Sequence, residues 1–261
     1  MRLGFLGPKG TFSYEAACEY AKDQDLIEYK TIKDIIFAIE KNEIDEGIVP
    51  IENSLQGGVT ETIDSLIESK EIFIKKSVIL KIKQNLIANS NYKISEIKEI
   101  YSHPQALAQC RKYIEENLHH VTINQVSSTA LAAKEIKTKN YCACIANEKC
   151  VEEYALCMLE KDIQDNDFNQ TKFWILTKKE NQQGSKMSLI FSTKNKAGAL
   201  YNVLGEFYKN DINLTKIESR PAKTVLGEYI FLVDLELNDK IDKAIENLKN
   251  ECNYIKVLGR Y

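Results

Sequence analysis

The chain has 261 residues, of which 44% are hydrophobic and 28% charged, and its formal net charge is −3. This composition excludes a disordered or fibrous protein, and the length suffices for two modest globular cores. The sequence contains no basic run of the kind that binds nucleic acid, and its short apolar start breaks at Pro8, too early for a signal peptide or a membrane span. We therefore expect a cytoplasmic protein with small-molecule partners and no nucleic-acid or membrane partner.

The first predicted unit is a strand over residues 2–6, a glycine-rich turn over residues 7–10 and a helix that begins at Thr11. The turn has neither the dinucleotide pattern G-x-G-x-x-G nor the Lys-Ser/Thr ending of a P-loop, so it does not predict a nucleotide site. Thr11 and Ser13 bring hydroxyls to the start of the helix. They either cap the helix or help it to hold a carboxylate.

A second group of polar residues follows the predicted strand over residues 46–51. Glu52, Asn53 and Ser54 stand where this strand ends and a glycine-rich turn leads into the next helix. Open α/β sheets bind ligands beyond the carboxyl ends of their strands, so these three residues are candidates for a site. The alternative is a plain turn.

Residues 72–88 predict two consecutive strands, with which the chain crosses into a second subdomain. A strand there ends at Ser102, and Pro104 then suits the first position of a helix that carries Gln105. Another helix starts at Ser128 and Thr129. His103 is the side chain best suited to proton transfer near neutral pH, and the alternative role for it is to cap the helix.

A polar stretch over residues 166–170 leads into a strand rich in aromatic and β-branched residues. Side chains alternate along a strand, so Thr171 and Phe173 should share one face while Lys172 and Trp174 share the other. A hydroxyl beside an aromatic wall is a candidate site. The alternative is an ordinary polar loop before a core strand.

The seven cysteines are an odd number and are scattered, so they do not predict a disulfide framework. Cys142 and Cys144, with Cys150 and Cys157, lack a C-x-x-C pair and lie partly in an apolar strand pattern. Buried reduced thiols are predicted instead of a metal site. No cofactor motif is present, so we expect neither metal nor cofactor.

A second domain follows the polar linker over residues 178–186. From residue 187 the hydrophobic pattern predicts strand, helix, strand, strand, helix and strand. This βαββαβ order is ferredoxin-like.

Four short motifs occur in order along the chain: Val49-Pro50-Ile51-Glu52-Asn53-Ser54, Tyr101-Ser102-His103-Pro104-Gln105, Thr171-Lys172-Phe173 and Glu218-Ser219-Arg220-Pro221. In these motifs the chain resembles prephenate dehydratase, nearly from end to end. The resemblance implies an α/β catalytic domain over residues 1–178, doubly wound and two-lobed like a solute-binding protein, and a ferredoxin-like ACT domain over residues 187–261. Lobe 1 is expected at about 1–75 and 160–178, and lobe 2 at about 76–159. One departure is Lys172, where the family has arginine.

The resemblance also implies an activity: a lyase that converts prephenate to phenylpyruvate in L-phenylalanine biosynthesis, without a cofactor and under feedback inhibition by L-phenylalanine. It marks Thr171 as catalytic, with a hydrogen bond to the leaving hydroxyl, and Glu52 or His103 as the origin of the proton. A homodimer or homotetramer is expected. The predicted substrate-binding residues are Thr11, Ser13, Asn53, Ser54, Ser102, Gln105, Ser128, Thr129, Lys172 and Phe173. The predicted effector-binding residues are Gly198, Ala199, Leu200, Glu218, Ser219 and Arg220.

Only four arginines occur in the chain, and none lies in a motif of the catalytic part. Helix N-termini, with Lys172 if it points inward, are therefore expected to bind the substrate carboxylates. Two other functions stay open: an arogenate dehydratase, and a two-lobed regulatory protein that binds a ligand without turnover. An ACT domain that only dimerises the chain is the alternative to an effector site.

Overall fold

A computed structural model describes residues 1–22, 24–222 and 228–261. Its first part alternates strands and helices, as the sequence predicts. The elements are β1 (Arg2–Leu6), α1 (Phe12–Tyr20), β2 (Asp25–Tyr29), α2 (Ile32–Glu40), β3 (Glu46–Asn53), β4 (Gly57–Gly58), α3 (Thr60–Glu68) and β5 (Phe73–Lys81). Threonine side chains cap the first two helices: Thr11 accepts a hydrogen bond from the Tyr14 amide and Thr31 from the Asp34 amide.

The chain then builds a second lobe and returns to the first. The elements are β6 (Asn85–Ala88), a 3-10 turn (Ile94–Glu96), β7 (Glu99–Ser102), α4 (Pro104–Gln109), α5 (Arg111–Asn117), β8 (Thr122–Gln125), α6 (Thr129–Ile136), β9 (Cys142–Ala146), α7 (Lys149–Tyr154), β10 (Cys157–Glu160) and β11 (Gln170–Thr177).

Each lobe contains one sheet. In the first lobe the strand order is β2-β1-β3-β11-β5, with β4 beside β3, and in the second it is β10-β6-β9-β7-β8. The expected lobe boundary near residue 76 falls inside β5, because β5 pairs with β11 along its whole length to Lys81. The expected return at residue 160 is also displaced, since β10 pairs with β6 in the second lobe. The chain thus crosses between lobes at residues 82–84 and 161–169.

The C-terminal domain has the predicted βαββαβ order. Its elements are β12 (Lys186–Thr193), α8 (Ala199–Lys209), β13 (Leu214–Pro221), β14 (Tyr229–Glu236), α9 (Ile241–Glu251) and β15 (Cys252–Arg260). The strand order β13-β14-β12-β15 forms one antiparallel sheet, and its helices pack over a core that contains Phe191, Phe207 and Leu248.

The two faces of the first sheet contact different parts of the molecule. Phe173 and Ile175 of β11 pack in a core with α1. Trp174 and Leu176 point the other way, into a core that also includes Leu232 of the C-terminal sheet. The alternation predicted for β11 is therefore confirmed, and the C-terminal domain covers the face opposite α1.

A glycine allows the two domains to approach closely. A Cβ on Gly259, whose φ is +137°, would lie 2.7 Å from the carbonyl oxygen of Ile74. A side chain at this position would separate β15 from β5.

The cysteines are free thiols, and Cys142 and Cys144 lie in the buried strand β9, as predicted. Burial raises the pKa of Cys150 to about 12, so this thiol stays protonated at neutral pH. Among the described residues, no group of three or more His, Cys, Asp or Glu side chains has the geometry to hold a metal ion. Nor does any described helix combine the length and apolar character that crossing a membrane requires.

Candidate active site

A cavity of about 200 Å³ opens between the two lobes of the catalytic part, and a cleft between lobes is a usual place for a small-molecule site. Its walls are mostly hydroxyl, amide and apolar groups. The lining residues are Thr11, Phe12, Asn53, Ile82, Gln84, His103, Gln105, Ala106, Gln109, Ser127, Ser128, Thr129 and Thr171. Of these described residues, His103 is the only ionisable one.

Thr171 and Asn53 face each other on neighbouring strands β11 and β3. The Asn53 side-chain amide nitrogen donates to the Thr171 hydroxyl oxygen at 2.9 Å. Its carbonyl oxygen accepts from the backbone amides of Leu55 and Gln56, which fixes the orientation of the amide group. Because Thr171 receives a hydrogen bond at its oxygen, its own proton is available to be donated into the cavity.

Three helices begin at the cavity wall, and each has a side-chain cap. Thr11 caps α1, Ser128 caps α6 by accepting from the Leu131 amide, and His103 caps the short helix α4. The first amides of a helix have no partner within the helix and carry the positive end of its dipole. The cavity wall thus brings together three helix N-termini of the kind that the sequence predicts for carboxylate binding.

His103 has a defined protonation pattern in this arrangement. Its Nδ1 accepts a hydrogen bond from the Gln105 amide at 3.2 Å. A nitrogen that accepts carries no proton, so in the neutral ring the proton is on Nε2. His103 therefore combines its capping role with a hydrogen-bond donor at the cavity wall.

Four predicted substrate-binding residues besides Lys172 do not line the cavity. Ser102 is fully buried and donates to the Ile145 carbonyl, and Ser13 is buried within α1. Ser54 donates to the Phe168 carbonyl and accepts from the Gln170 amide, so it holds the loop before β11. Phe173 is a core residue. These side chains support the site from outside.

Glu52 and Lys172 point away from the cavity. The Glu52 carboxylate lies 3.2 Å from Lys216 Nζ, and Lys172 Nζ lies 2.6 Å from the Asp234 carboxylate. Both partners belong to the C-terminal domain. Glu52 and Lys172 are paired in the register of β3 and β11, so they share the face opposite Asn53 and Thr171.

Gln84 and Gln109 line the cavity although neither is among the residues predicted from the sequence. Gln84 Nε2 donates to Gln109 Oε1 at 3.1 Å, across the junction of the lobes. Helical spacing is a usable signal for Gln109, because it lies one turn after Gln105. Gln84 follows β5 in a connecting segment and shows no such pattern.

The C-terminal domain has a separate cavity of about 270 Å³ at the start of α8. Gly198, Ala199 and Leu200, three of the predicted effector-binding residues, line it. Glu218 and Arg220 instead face the catalytic part, where Arg220 donates to Thr60 and to the Asp64 carboxylate. Glu218 lies 3.2 Å from Lys216.

Two family models match the chain, the one for prephenate dehydratase over residues 3–181 and the one for the ACT domain over residues 187–253. The prephenate dehydratase of Methanocaldococcus jannaschii is 39% identical over 97% of this chain and 95% of its own length. The bifunctional chorismate mutase/prephenate dehydratase of Aquifex aeolicus is 38% identical over 100% of this chain and 73% of its own length. The solved structure of prephenate dehydratase from Arthrobacter aurescens in complex with L-Phe superposes with a TM-score of 0.91, at 30% identity, over 99% of this chain and 89% of that one.

Proposed function

The chain belongs to the prephenate dehydratase family, and we propose that it converts prephenate to phenylpyruvate in the cavity that Thr171 and Asn53 line. The observation that carries this assignment is the Asn53–Thr171 hydrogen bond, which turns a hydroxyl donor toward the space between the lobes. The proposed catalytic domain spans residues 1–178, and the proposed ACT domain spans residues 187–261.

The reaction needs a hydrogen-bond donor beside the hydroxyl oxygen that leaves the ring. Loss of the ring carboxylate as carbon dioxide leaves an electron pair in the ring, and the ring becomes aromatic as the hydroxyl leaves. The departing oxygen gains negative charge during this step and takes up one proton to form water. A hydrogen bond from Thr171 to this oxygen strengthens as charge develops, so it favours the transition state over the bound substrate.

The substrate also carries two carboxylates, and the cavity has no arginine or lysine among its described lining residues. The N-termini of α1 and α6 offer the backbone amides of Phe12, Ser128 and Thr129, whereas the Thr11 amide already donates to the Pro8 carbonyl. Their donors and dipoles suit a carboxylate. Gln105 and the Nε2–H of His103 add side-chain donors on the second lobe.

His103 is proposed as a hydrogen-bond donor only. The proton that completes the product water is proposed to come from solvent, while the Thr171 hydroxyl donates a hydrogen bond to the departing oxygen and keeps its own proton. Protonating Nδ1 would break its bond to the Gln105 amide. Glu52, the other predicted origin of the proton, is paired with Lys216 on the far face of the sheet. It therefore has no part in this mechanism.

A turnover assay on prephenate and arogenate side by side tests the proposed function. Phenylpyruvate forms from prephenate, and phenylalanine forms from arogenate, so absorbance and amino-acid analysis separate the two activities. Faster turnover of prephenate supports the proposal, and faster turnover of arogenate replaces it with the second enzyme. Tight binding of prephenate without product would leave a regulatory binding protein.

L-phenylalanine is the proposed effector, bound where α8 begins. The amides and the dipole of this 11-residue helix suit the carboxylate of an amino acid, and Gly198 and Ala199 have little side chain to obstruct it.

Tyr201 and Tyr208 on the same helix are 78% and 84% exposed. Such rings favour a partner surface, and we propose a homodimer or homotetramer. A biosynthetic role supports a cytoplasmic location.

Calorimetry tests the effector site in both directions. If L-phenylalanine weakens prephenate binding, prephenate must weaken L-phenylalanine binding by the same factor. The intact chain should bind L-phenylalanine, and Gly198→Val should abolish that binding while turnover without effector stays normal. If the intact chain does not bind L-phenylalanine at millimolar concentration, the effector site is wrong and the ACT domain serves only to assemble the oligomer.

A further inference from the structure

The two residues that meet at the reacting end of the cavity each have a charged neighbour on the opposite face. Next to Asn53 is Glu52 and next to Thr171 is Lys172, and both neighbours are ion-paired with the C-terminal domain. The pairing at Lys172 is the more enclosed of the two. Its side chain is 19% exposed and that of Asp234 is 3% exposed, against 38% for Glu52.

Asp234 is itself fixed by a chain of hydrogen bonds. Its Oδ1 accepts from the Ser188 hydroxyl at 2.5 Å, and that hydroxyl lies 2.7 Å from the Tyr261 hydroxyl. The Tyr261 ring packs edge-on against Trp174, two residues beyond Lys172 on β11. Lys172 Nζ lies 5.7 Å from the centre of the Trp174 ring. The ammonium group therefore has one defined position.

The backbone at this point departs from a regular ladder. Lys172 pairs with Glu52 but Phe173 pairs with Pro50, so β3 has one extra residue here. A bulge of this kind bends the strand that carries the extra residue, here β3, while residues 170–175 of β11 keep an unbroken register with β5 on the other side. On the β3 side Thr171 therefore lies beside an irregular part of the ladder, where the ion pair of the adjacent Lys172 is an additional restraint.

We propose that Asp234 is a positioning residue for the dehydration: through its ion pair with Lys172 it holds the start of β11, beside the bulge in β3, so that the Thr171 hydroxyl points at the leaving oxygen. This inference rests on the proposed function and assigns a role in that reaction to a residue of the ACT domain. The cavity and the C-terminal domain contact opposite faces of the same strand. A displacement of the ACT sheet at Asp234 would accordingly move Thr171.

The test removes both charges at once, with Lys172→Met and Asp234→Asn in one chain. Asp234→Asn alone would leave a charge enclosed without its partner, whereas the double variant leaves none and is expected to fold. We expect kcat for prephenate to fall about tenfold, with KM within about twofold, because misplacement of a catalytic group slows the chemical step. In a Thr171→Ala background the same double change should cost nothing further in kcat.

Two comparisons separate positioning from loss of domain contact. Asp64→Asn removes another ion pair between the domains, with Arg220, which keeps its hydrogen bond to Thr60; this change should leave kcat unchanged because Asp64 lies on α3. The methyl NMR signal of Thr171, assigned by its loss in Thr171→Ser, should move in the double variant and not in Asp64→Asn. This signal reports the position of Thr171 whether or not the chain turns over prephenate. A folded double variant with normal kcat and an unmoved signal, or an equal effect of Asp64→Asn, would overturn the inference.

Discussion

The two faces of the strand pair β3 and β11 are built from different chemistry. On the cavity face, Asn53 and Thr171 are neutral and bonded to each other. On the opposite face, Glu52 and Lys172 are charged and paired with the C-terminal domain. A buried charge is tolerated only beside a permanent partner, whereas neutral donors can lose a ligand at less cost. Charges therefore lie where the partner is part of the chain, and neutral donors lie where the partner comes and goes.

The largest effect on activity should come from removing the hydroxyl of Thr171, the hydrogen-bond donor on the cavity face. Thr171→Ala is expected to lower kcat by about 10²–10³-fold, the usual cost of losing one donor that acts on developing charge. KM and the melting temperature should change little. Thr171→Ser keeps the hydroxyl and is the matched control. Steady-state kinetics of both variants decide the point, and normal turnover by Thr171→Ala would mean that the chemistry lies elsewhere.

Reversing the hydrogen bond to Thr171 should have the next largest effect. In Asn53→Asp a carboxylate replaces the donating amide nitrogen, so the Thr171 proton turns toward the new carboxylate and away from the substrate. The new charge also repels a dianionic substrate. We expect kcat to fall about 10²-fold and KM to rise, both read from steady-state kinetics. An unchanged KM would show that position 53 is shielded from the substrate charges.

Sequence patterns predict the cavity face of β3 and β11 more fully than the face that contacts the C-terminal domain. Period-two alternation places Lys172 opposite Thr171, and strand ends and helix starts lead to Asn53, Gln105 and Ser128. The pattern does not predict that the second domain packs on the far face of the sheet, because this packing depends on contacts between residues that are distant in sequence. For that reason the sequence predicts roles at the substrate for Glu52 and Lys172, although each is paired across the domain interface.

Arg220 illustrates the same limit. Its motif predicts an effector contact, but a motif does not show which neighbour a long side chain meets. In the structure Arg220 reaches Thr60 and Asp64 of α3. The cavity residue Gln84 has no pattern at all, because it lies in the crossing between lobes.

Glu15 tests on a smaller scale what a charge without a partner costs on the cavity side of the sheet. In the described part of the chain its carboxylate has no ion-pair partner. It lies on α1, and burial is the main cause that raises the pKa of its carboxyl to about 7. An acid whose folded-state pKa is raised binds more protons when folded, so it lowers stability as pH rises from about 4.5 to 7. The shift corresponds to about 3 kcal/mol at most.

Glu15→Gln should therefore melt several degrees higher than the natural chain at pH 8 and at nearly the same temperature at pH 5. Glu116→Gln, an exposed change on α5, is the matched control, because Glu19 on the same helix is one of the charges that raise the pKa of Glu15; the control should show a much smaller pH dependence. Thermal melts at the two pH values provide the measurement. An equal gain at both pH values would mean that the Glu15 carboxyl titrates normally.

The smallest effect should come from restoring the family's arginine at position 172. A guanidinium keeps the charge and reaches the free side of the Asp234 carboxylate, whose other oxygen is held by Ser188. Because residue 172 faces the C-terminal domain, Lys172→Arg should leave both kcat and KM within about twofold. Lys172→Met, which removes the charge, is the contrasting variant. A several-fold fall in KM for Lys172→Arg would show that this side chain binds a substrate carboxylate. The assignment of neutral donors to the cavity face of β11 and of charges to the opposite face would then be wrong.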